Sequence, residues 1–200
     1  MIKIPLCAGN KRRWDAVSSH ASVAIILYHT TRRTFILVRQ FRPAVYAATM
    51  RSEAETAEEA GAPPPPPPPL SCALTFELCA GIVGDKPEYS LLDIAREEIL
   101  EETGYDVPAS RIKKVTSMLT AVGISGSRQT IFAAEVDDSM LAVPQDGVGG
   151  GLSEHGEAIE VVALPVDSVD AFMMDEKCGK SAGLLFALTW AKHAAVFENL

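Results

Sequence analysis

The residues REEILEETGY, at positions 96–105, predict a short helix that is dense in carboxylates and ends at Gly104. Glu98, Glu101 and Glu102 are spaced i, i+3 and i+4. An α-helix turns about 100° per residue, so these three side chains lie within an arc of about 100°. Like charges this close repel one another unless a cation lies among them. A hard divalent cation such as Mg²⁺ takes oxygen ligands of this kind, so the stretch indicates a metal site.

The composition is typical of one globular domain. The chain has 200 residues, of which 48% are hydrophobic and 22% are charged, and a chain of this length can bury a core of its own. The formal net charge of -8 at pH 7 and a pI near 5.0 argue against a protein that coats nucleic acid with a basic face. An anionic small substrate remains compatible with this charge, because a bound cation inverts the local field.

The sequence predicts a cytoplasmic protein without a membrane partner. The N-terminus has no good signal peptide, because its apolar stretch is short and is followed, not preceded, by the basic residues at 11–13. No apolar run approaches the ~20 residues that cross a bilayer. The cysteines lack CxxC spacing, which favours reduced thiols. They are Cys7, Cys72, Cys79 and Cys178.

Strand and helix patterns alternate irregularly, which predicts an α+β fold arranged as an α/β/α sandwich. Apolar, β-branched runs at 22–28 and 34–38 favour a hairpin. Ser90 and Asp93 resemble a capping box at the start of the carboxylate-rich helix, and Gly104 is placed to end it. Further strands are expected at 75–78, 112–122, 128–136 and 158–164, and further helices at 165–174 and 181–197.

Residues 50–70 differ in composition from the rest of the chain. Glutamates among alanines precede seven consecutive prolines at 63–69. These favour an extended polyproline II rod, because proline has no backbone N–H. The run is either a docking site for a proline-recognising domain or a tolerated surface insertion. We favour the insertion, since long loop insertions cost little free energy. We therefore expect one domain over residues 1–200, with 50–70 a flexible, proline-rich excursion.

The segment 81–105 resembles the Nudix box, G-x5-E-x7-R-E-U-x-E-E-x-G-U, in which U is a bulky apolar residue. The second half of the box fits the residues from 98 to 105. The first half fits less well, because the spacings on the two sides of Glu88 are each one residue longer than in the pattern. The family's fold, a mixed sheet with flanking helices, is what the resemblance implies for this chain.

The misfit changes which residue stands at the arginine of the box. Counted from the C-terminal end, Glu97 occupies that position and Arg96 lies one place early. In the family this arginine supports the metal-binding glutamates by charge pairing. Glu97 would instead repel Glu101, four residues away. Arg96 would compensate if the helix carried a one-residue bulge.

Four further segments resemble the branch of the family that acts on ADP-ribose and nucleoside diphosphate sugars. VRQFRPA at 38–44 is similar to the V-x-Q-[FYI]-R pattern of that branch, and ELCAG at 77–81 is similar to E-[LF]-P-A-G, with Cys79 in place of proline. GISGSRQ at 123–129 and GGGLSEHGE at 149–157 look like the animal UDP-sugar diphosphatases. The resemblance implies Mg²⁺-dependent hydrolysis of UDP-glucose to UMP and glucose 1-phosphate.

The same resemblance implies a ligand set for Mg²⁺, with Mn²⁺ as a second suitable ion. Glu98 and Glu102 are the main ligands, and the backbone carbonyl of Ala80 completes the set. Glu101 is a third ligand or holds metal-bound water, which also makes it a catalytic candidate. On composition alone, a solvated acidic helix face is the favoured explanation of the glutamates. The closing glycine and the ELCAG segment favour the metal site.

A general base is expected on a loop that is mobile enough to admit substrate. By resemblance, this base is Glu157, which follows the glycine cluster at 147–151. Glu154 and His155 are the alternatives in the same loop, and His155 titrates near neutral pH. Any of the three is otherwise an ordinary residue of the loop surface.

Three arginines are candidates for substrate binding. Arg42 is expected to contact the phosphate or the nucleotide by resemblance, since the planar guanidinium suits phosphate oxygens. Arg39 and Arg128 are weaker candidates, because each can face solvent or pair with an acidic neighbour.

Two other functions remain open. One is an ADP-ribose or ADP-sugar diphosphatase with the same machinery. The other is a Nudix-fold binding module with weak or no catalysis, which Glu97 at the arginine position would explain. The resemblance also implies a homodimer built partly from the N-terminal strands, and the acidic net charge predicts no nucleic-acid partner.

Overall fold

The computed structural model describes residues 2–5, 11–84, 88–142, 158–194 and 197. Within these ranges the chain forms ten β-strands and four α-helices. The strands are β1 (Ile2–Pro5), β2 (Lys11–Trp14), β3 (Ser22–His29), β4 (Thr34–Phe41), β5 (Leu74–Glu77), β6 (Cys79–Ile82), β7 (Lys113–Thr120), β8 (Ser127–Val136), β9 (Ile159–Pro165) and β10 (Gly179–Lys180). The helices are α1 (Pro43–Glu59), α2 (Leu91–Thr103), α3 (Val169–Met174) and α4 (Ala182–Ala194).

The predicted hairpin of β3 and β4 lies at the centre of an eight-stranded mixed sheet. Strand β3 is buried on both faces, which explains its unbroken apolar run. Its alternate side chains enter two separate hydrophobic clusters. Val23, Ile25 and Leu27 enter one cluster, and Ala24, Ile26 and Tyr28 enter the other.

The two strands of the hairpin pair only near their turn, at 27–29 with 34–36, and then diverge. Beyond the divergence, β6 pairs antiparallel with β3 and β5 pairs antiparallel with β4. The continuous segment 74–82 therefore fills the fork between the diverging strands. The outer edges are completed by β8 parallel to β3, by β7 on β8, by β9 on β4 and by β10 on β5.

Helices cover both faces of the sheet, which confirms the α/β/α sandwich. Helix α2 contributes Ile94, Ala95 and Ile99 to the cluster on one face. Helix α4 contributes Leu184 and Leu188 to the cluster on the other face. Within the described part of the chain, no helix is both long enough and apolar enough to cross a bilayer.

The ends of α2 follow the sequence signals. The Ser90 hydroxyl accepts a hydrogen bond from the Asp93 N–H at 3.2 Å, and the Asp93 carboxylate accepts one from the Ser90 N–H at 2.9 Å. Gly104 ends the helix in the left-handed region, at φ 75°, where glycine carries no steric penalty. The capping box and the glycine stop are thus both confirmed, and they set where the helix begins and ends.

Helix α1 was not expected from the sequence. Pro43 follows the end of β4 and stands in the first turn of α1, where proline needs no N–H partner. The region 50–70, which the sequence predicts to be a flexible excursion, therefore contains the second part of this helix. Helix α1 buries none of its residues. The flexibility of 50–70 and the single-domain boundary of 1–200 stay predictions.

Candidate metal and diphosphate site

The C-terminal part of α2 lies against the first residues of β6. Glu102 is only 6% exposed, and its carboxylate accepts a hydrogen bond from the Ala80 N–H at 2.9 Å. A buried carboxylate needs such a donor, because an ionised oxygen without one is costly away from water. Two of the four predicted metal-site residues, Glu102 and Ala80, are therefore in direct contact.

Glu98 lies across the next residue of the same strand. A Cβ atom built on Gly81 would stand 1.9 Å from the Oε1 atom of Glu98 and 2.1 Å from its Cδ atom. No side chain fits there while Glu98 keeps this position, which is why the strand needs glycine at 81. Glu98 and Glu102, one helical turn apart, thus both reach the Ala80–Gly81 backbone.

Cys79 lies beneath both carboxylates. Its side chain is fully buried, and burial raises the pKa of the Cys79 thiol well above its ordinary value. The charge of Glu102, a hydrogen bond to Glu102 and the charge of Glu98 raise this pKa further. The Cys79 thiol therefore lies close enough to both carboxylates for their charges to raise its pKa. Cys79 pairs with Ile25 in the sheet. The cysteine that stands where the family pattern has proline therefore belongs to a regular strand.

The metal site predicted from the sequence includes a third carboxylate, Glu101. Among the residues that the structure describes, no three His, Cys, Asp or Glu side chains are grouped so that they could hold a metal ion. The two carboxylates on the Ala80–Gly81 backbone nevertheless fit a divalent cation, because two acidic groups above one backbone segment repel each other until a cation lies between them. The role of Glu101 as a third ligand stays a prediction.

The candidate arginines have carboxylate partners within the protein. The Arg42 guanidinium donates two hydrogen bonds to Glu77, from Nε at 2.7 Å and from Nη2 at 2.6 Å. Arg39 donates from Nε to Glu160 at 2.7 Å and lies over the ring of Phe76, 5.7 Å from its centre. A forked arginine–carboxylate pair fixes the orientation of the guanidinium. Both arginines are thus oriented by neighbouring strands.

The remaining candidates are the third arginine and the three possible general bases. Arg128 is an exposed residue of β8, opposite Leu119 of β7. Glu157, Glu154 and His155 lie outside the described residues, so the choice of general base stays a prediction.

Two polar residues near Ala80 were missed by the sequence reasoning. Glu77, which holds Arg42, lines a small cavity together with Ala80 and Gln129. Gln129 donates from Nε2 to the Ser22 hydroxyl at 3.2 Å. Glu77 belongs to ELCAG and Gln129 to GISGSRQ, two segments that carry the family resemblance. Membership of these segments could have indicated that both residues belong to the site.

Comparison with known proteins identifies the family. No family model matches the chain. It is 40% identical over 187 residues to the uridine diphosphate glucose pyrophosphatase NUDT14 of Bos taurus, covering 91% of this chain and 82% of that protein. The protein of the same name from Mus musculus is 38% identical over 187 residues, which again cover 91% of this chain and 82% of that protein. The chain belongs to the Nudix hydrolase family.

More distant matches agree with this assignment. A GDP-mannose pyrophosphatase of Pectobacterium atrosepticum is 34% identical over 163 residues, covering 80% of this chain and 68% of that protein. The crystal structure of an ADP compounds hydrolase superposes with a TM-score of 0.64 at 15% identity, covering 96% of this chain and 83% of that one. At this identity the second match shows the Nudix fold alone, which confirms the fold expected from the sequence.

The Nudix box has arginine where this chain has Glu97, and the structure shows that Arg96 does not take over the role of that arginine. Helix α2 is a regular α-helix over Leu91–Thr103, so the one-residue bulge is wrong. Arg96 turns away from the glutamates and donates to the Asp106 carboxylate at 2.8 Å and to the Val107 carbonyl at 3.2 Å. Arg96 therefore joins the helix to the loop that follows it.

Glu97 also faces away from the Nudix glutamates that contact β6. It lines an open cavity of about 460 Å³ together with Asp93, Arg96 and Asp106. It follows that Glu97 lies on the outer side of α2, whereas Glu98 and Glu102 lie on the sheet side.

The depth of Cys79 in this Nudix site predicts its reactivity. Cys79 has no exposed surface, whereas Cys72 is exposed. We expect N-ethylmaleimide to label Cys79 at least about 100-fold more slowly than Cys72, because a buried thiol reacts only when the structure opens. Peptide mapping by mass spectrometry over a time course measures both rates. Equal rates would mean that Cys79 does not lie beneath the carboxylates.

Proposed function

We propose that this chain hydrolyses the diphosphate bond of nucleoside diphosphate sugars, with UDP-glucose as the preferred substrate and UMP and glucose 1-phosphate as products. The observation that carries the proposal is the pair of carboxylates, Glu98 and Glu102, set on the backbone of Ala80 and Gly81. The names of the relatives at 40% and 34% identity support the substrate class.

Magnesium is the proposed metal. Glu98, Glu102 and the Ala80 carbonyl would hold it, with Glu101 as a third carboxylate. When bound, the ion supplies charge neutralisation for the diphosphate and activation of the attacking water. The protein supplies the fixed carboxylates, and the hydrogen bond from the Ala80 N–H holds the Glu102 carboxylate in its buried position.

Arg42 would hold the diphosphate from the side of β4. Glu77 and Ala80 are three residues apart in an extended segment, which limits their separation to roughly 10 Å. The Arg42 guanidinium, fixed by Glu77, would therefore lie along the same short stretch of backbone as the carboxylates of α2. A guanidinium at this position would bind phosphate oxygens, while Glu157 would accept the proton of the attacking water. Arg39 and Arg128 would add positive charge at the rim.

An ADP-ribose diphosphatase is the alternative enzyme, since the same residues would serve either base. We expect kcat/KM for UDP-glucose to exceed that for ADP-ribose, with GDP-mannose as a third substrate in the same assay. Release of nucleoside monophosphate under saturating Mg²⁺ provides the measurement. A preference for ADP-ribose of tenfold or more would replace UDP-glucose as the substrate.

Three charge-removing variants separate hydrolysis from binding alone. Glu98→Gln and Glu102→Gln should each lower kcat by about 100-fold or more, because each removes one carboxylate from a site worth several kcal/mol of transition-state stabilisation. Glu97→Gln is the matched control on the outer side of α2, and it should retain kcat within about threefold.

Calorimetric titration with UDP-glucose completes this test. A binding module without catalysis would show no turnover in the unmodified chain and the same affinity in all three variants. Loss of activity in Glu97→Gln to the same extent as in the other two would contradict the assignment of the two helix sides.

A homodimer and a cytoplasmic location are further parts of the proposal. Strands β1 and β2 pair with each other in a separate two-stranded sheet. An isolated hairpin is marginal in water, so a second subunit is a suitable partner for it. We expect light scattering at micromolar concentration to give the mass of two chains, and a mass of one chain would contradict the dimer.

A further inference from the structure

The proline run at 63–69 is not used by the hydrolytic site. The five prolines at 63–67 are exposed, and Pro68 is half-buried. Pro69 has φ -62° and ψ 144°, which are the dihedral angles of polyproline II. We refer to residues 63–69 as the proline ridge.

The ridge is held against α1. The Tyr46 hydroxyl, near the start of the helix, donates to the Pro68 carbonyl at 3.0 Å. At the other end, the Ala62 N–H donates to the Ala57 carbonyl at 2.8 Å, next to a reversal at Gly61 with φ 64°. The chain thus leaves along the helix and returns along the ridge in the opposite direction.

The lengths of the two segments match this arrangement. Helix α1 has 17 residues and so extends about 25 Å at 1.5 Å per residue. Seven residues of polyproline II extend about 22 Å at 3.1 Å per residue. The ridge therefore returns along almost the whole helix, and the helix supports it from one side.

The sequence alone favours a tolerated surface insertion, but the contacts that hold the ridge on α1 change this interpretation. We propose that the proline ridge is a docking site for a protein domain whose groove is lined by aromatic side chains. Such grooves recognise polyproline II because the rod is already ordered before binding and loses little conformational entropy. The ridge is more ordered than a proline-rich tail, since a helix and a tyrosine hold it. Its exposed prolines present one uninterrupted apolar rod to a partner.

The surrounding charge narrows the class of partner. Residues 60–73 contain no charged side chain. The supporting helix α1 carries one exposed base, Arg51, and four exposed acids at 53, 55, 58 and 59, so the charge beside the ridge is predominantly acidic. A groove with an acidic rim would be repelled by this excess of acidic side chains. The structure therefore favours a groove with a neutral or basic rim, such as that of a WW-type domain without acidic residues around its groove.

The test uses the full chain and a ¹⁵N-labelled WW domain with a neutral or basic rim that binds a free decaproline peptide. The readout is the indole N–H resonance of the groove tryptophan, which reports contact with proline directly. The unmodified chain should shift this resonance. The variant Pro63→Ala, Pro65→Ala, Pro67→Ala should bind at least about tenfold more weakly, because it breaks the continuous rod.

Two controls make the result specific. Pro108→Ala changes an exposed proline outside the ridge and should leave the affinity unchanged. All variants should retain the hydrolysis rate of the unmodified chain, which establishes that they are folded. An SH3 domain with an acidic rim, titrated in parallel, should bind at least about tenfold more weakly than the WW domain.

Three results would overturn the proposal. The first is no shift of the groove resonance by the unmodified chain at concentrations where decaproline saturates the domain. The second is equal binding by the triple variant. The third is tighter binding by the acidic-rim domain, which would contradict the partner class inferred from the excess of acidic side chains on α1.

Discussion

The contact between α2 and the start of β6 is the constraint on which the site depends. It places the Glu102 carboxylate on the Ala80 N–H and the Glu98 carboxylate over Gly81. Glu102 is buried and Glu98 is partly buried, and two carboxylates held against adjacent residues of one strand repel each other. The arrangement is therefore poised to gain stability when a cation binds, which is the property that a diphosphate hydrolase of this family requires.

The divergence of β3 from β4 explains how the other parts of the site reach this contact. A hairpin that opens into a fork leaves room for one continuous segment, and residues 74–82 pair with both strands. This segment carries Glu77 beside Arg42 and, three residues later, Ala80 beside Glu102. The arginine and the carboxylates are thus joined by a short, extended stretch, so their spacing is set by the backbone.

The same topology allows a long insertion between β4 and β5. The Arg42 N–H donates to the Ala73 carbonyl at 2.9 Å, so the two ends of the insertion meet at the sheet. An insertion whose ends already meet adds little strain to the fold, and the closure cost rises only slowly with its length. Helix α1 and the proline ridge therefore project from the domain without disturbing the hairpin. A partner bound to the ridge would lie on the side of the domain where the insertion joins the sheet, next to Arg42.

Much of the fold and part of the site follow from signals that are local in sequence. The hairpin, the capping box at Ser90 and the stop at Gly104 were predicted, because β-branched apolar runs, side-chain capping and a positive φ act over a few residues. The glutamates spaced i and i+4 were likewise assigned to one face of α2. Helix α1 was missed, because Pro43 is compatible both with the end of a strand and with the first turn of a helix.

The sequence by itself thus determined the family, the boundaries of α2 and the shared face of Glu98 and Glu102. The tertiary structure decided which groups those carboxylates contact, that Glu77 orients Arg42, and that Arg96 binds Asp106 instead of supporting the glutamates. These outcomes depend on residues that meet only when β6 fills the fork and α2 covers it. A side chain's partner is chosen by such long-range packing, whereas its face on a helix is fixed by the helical repeat alone.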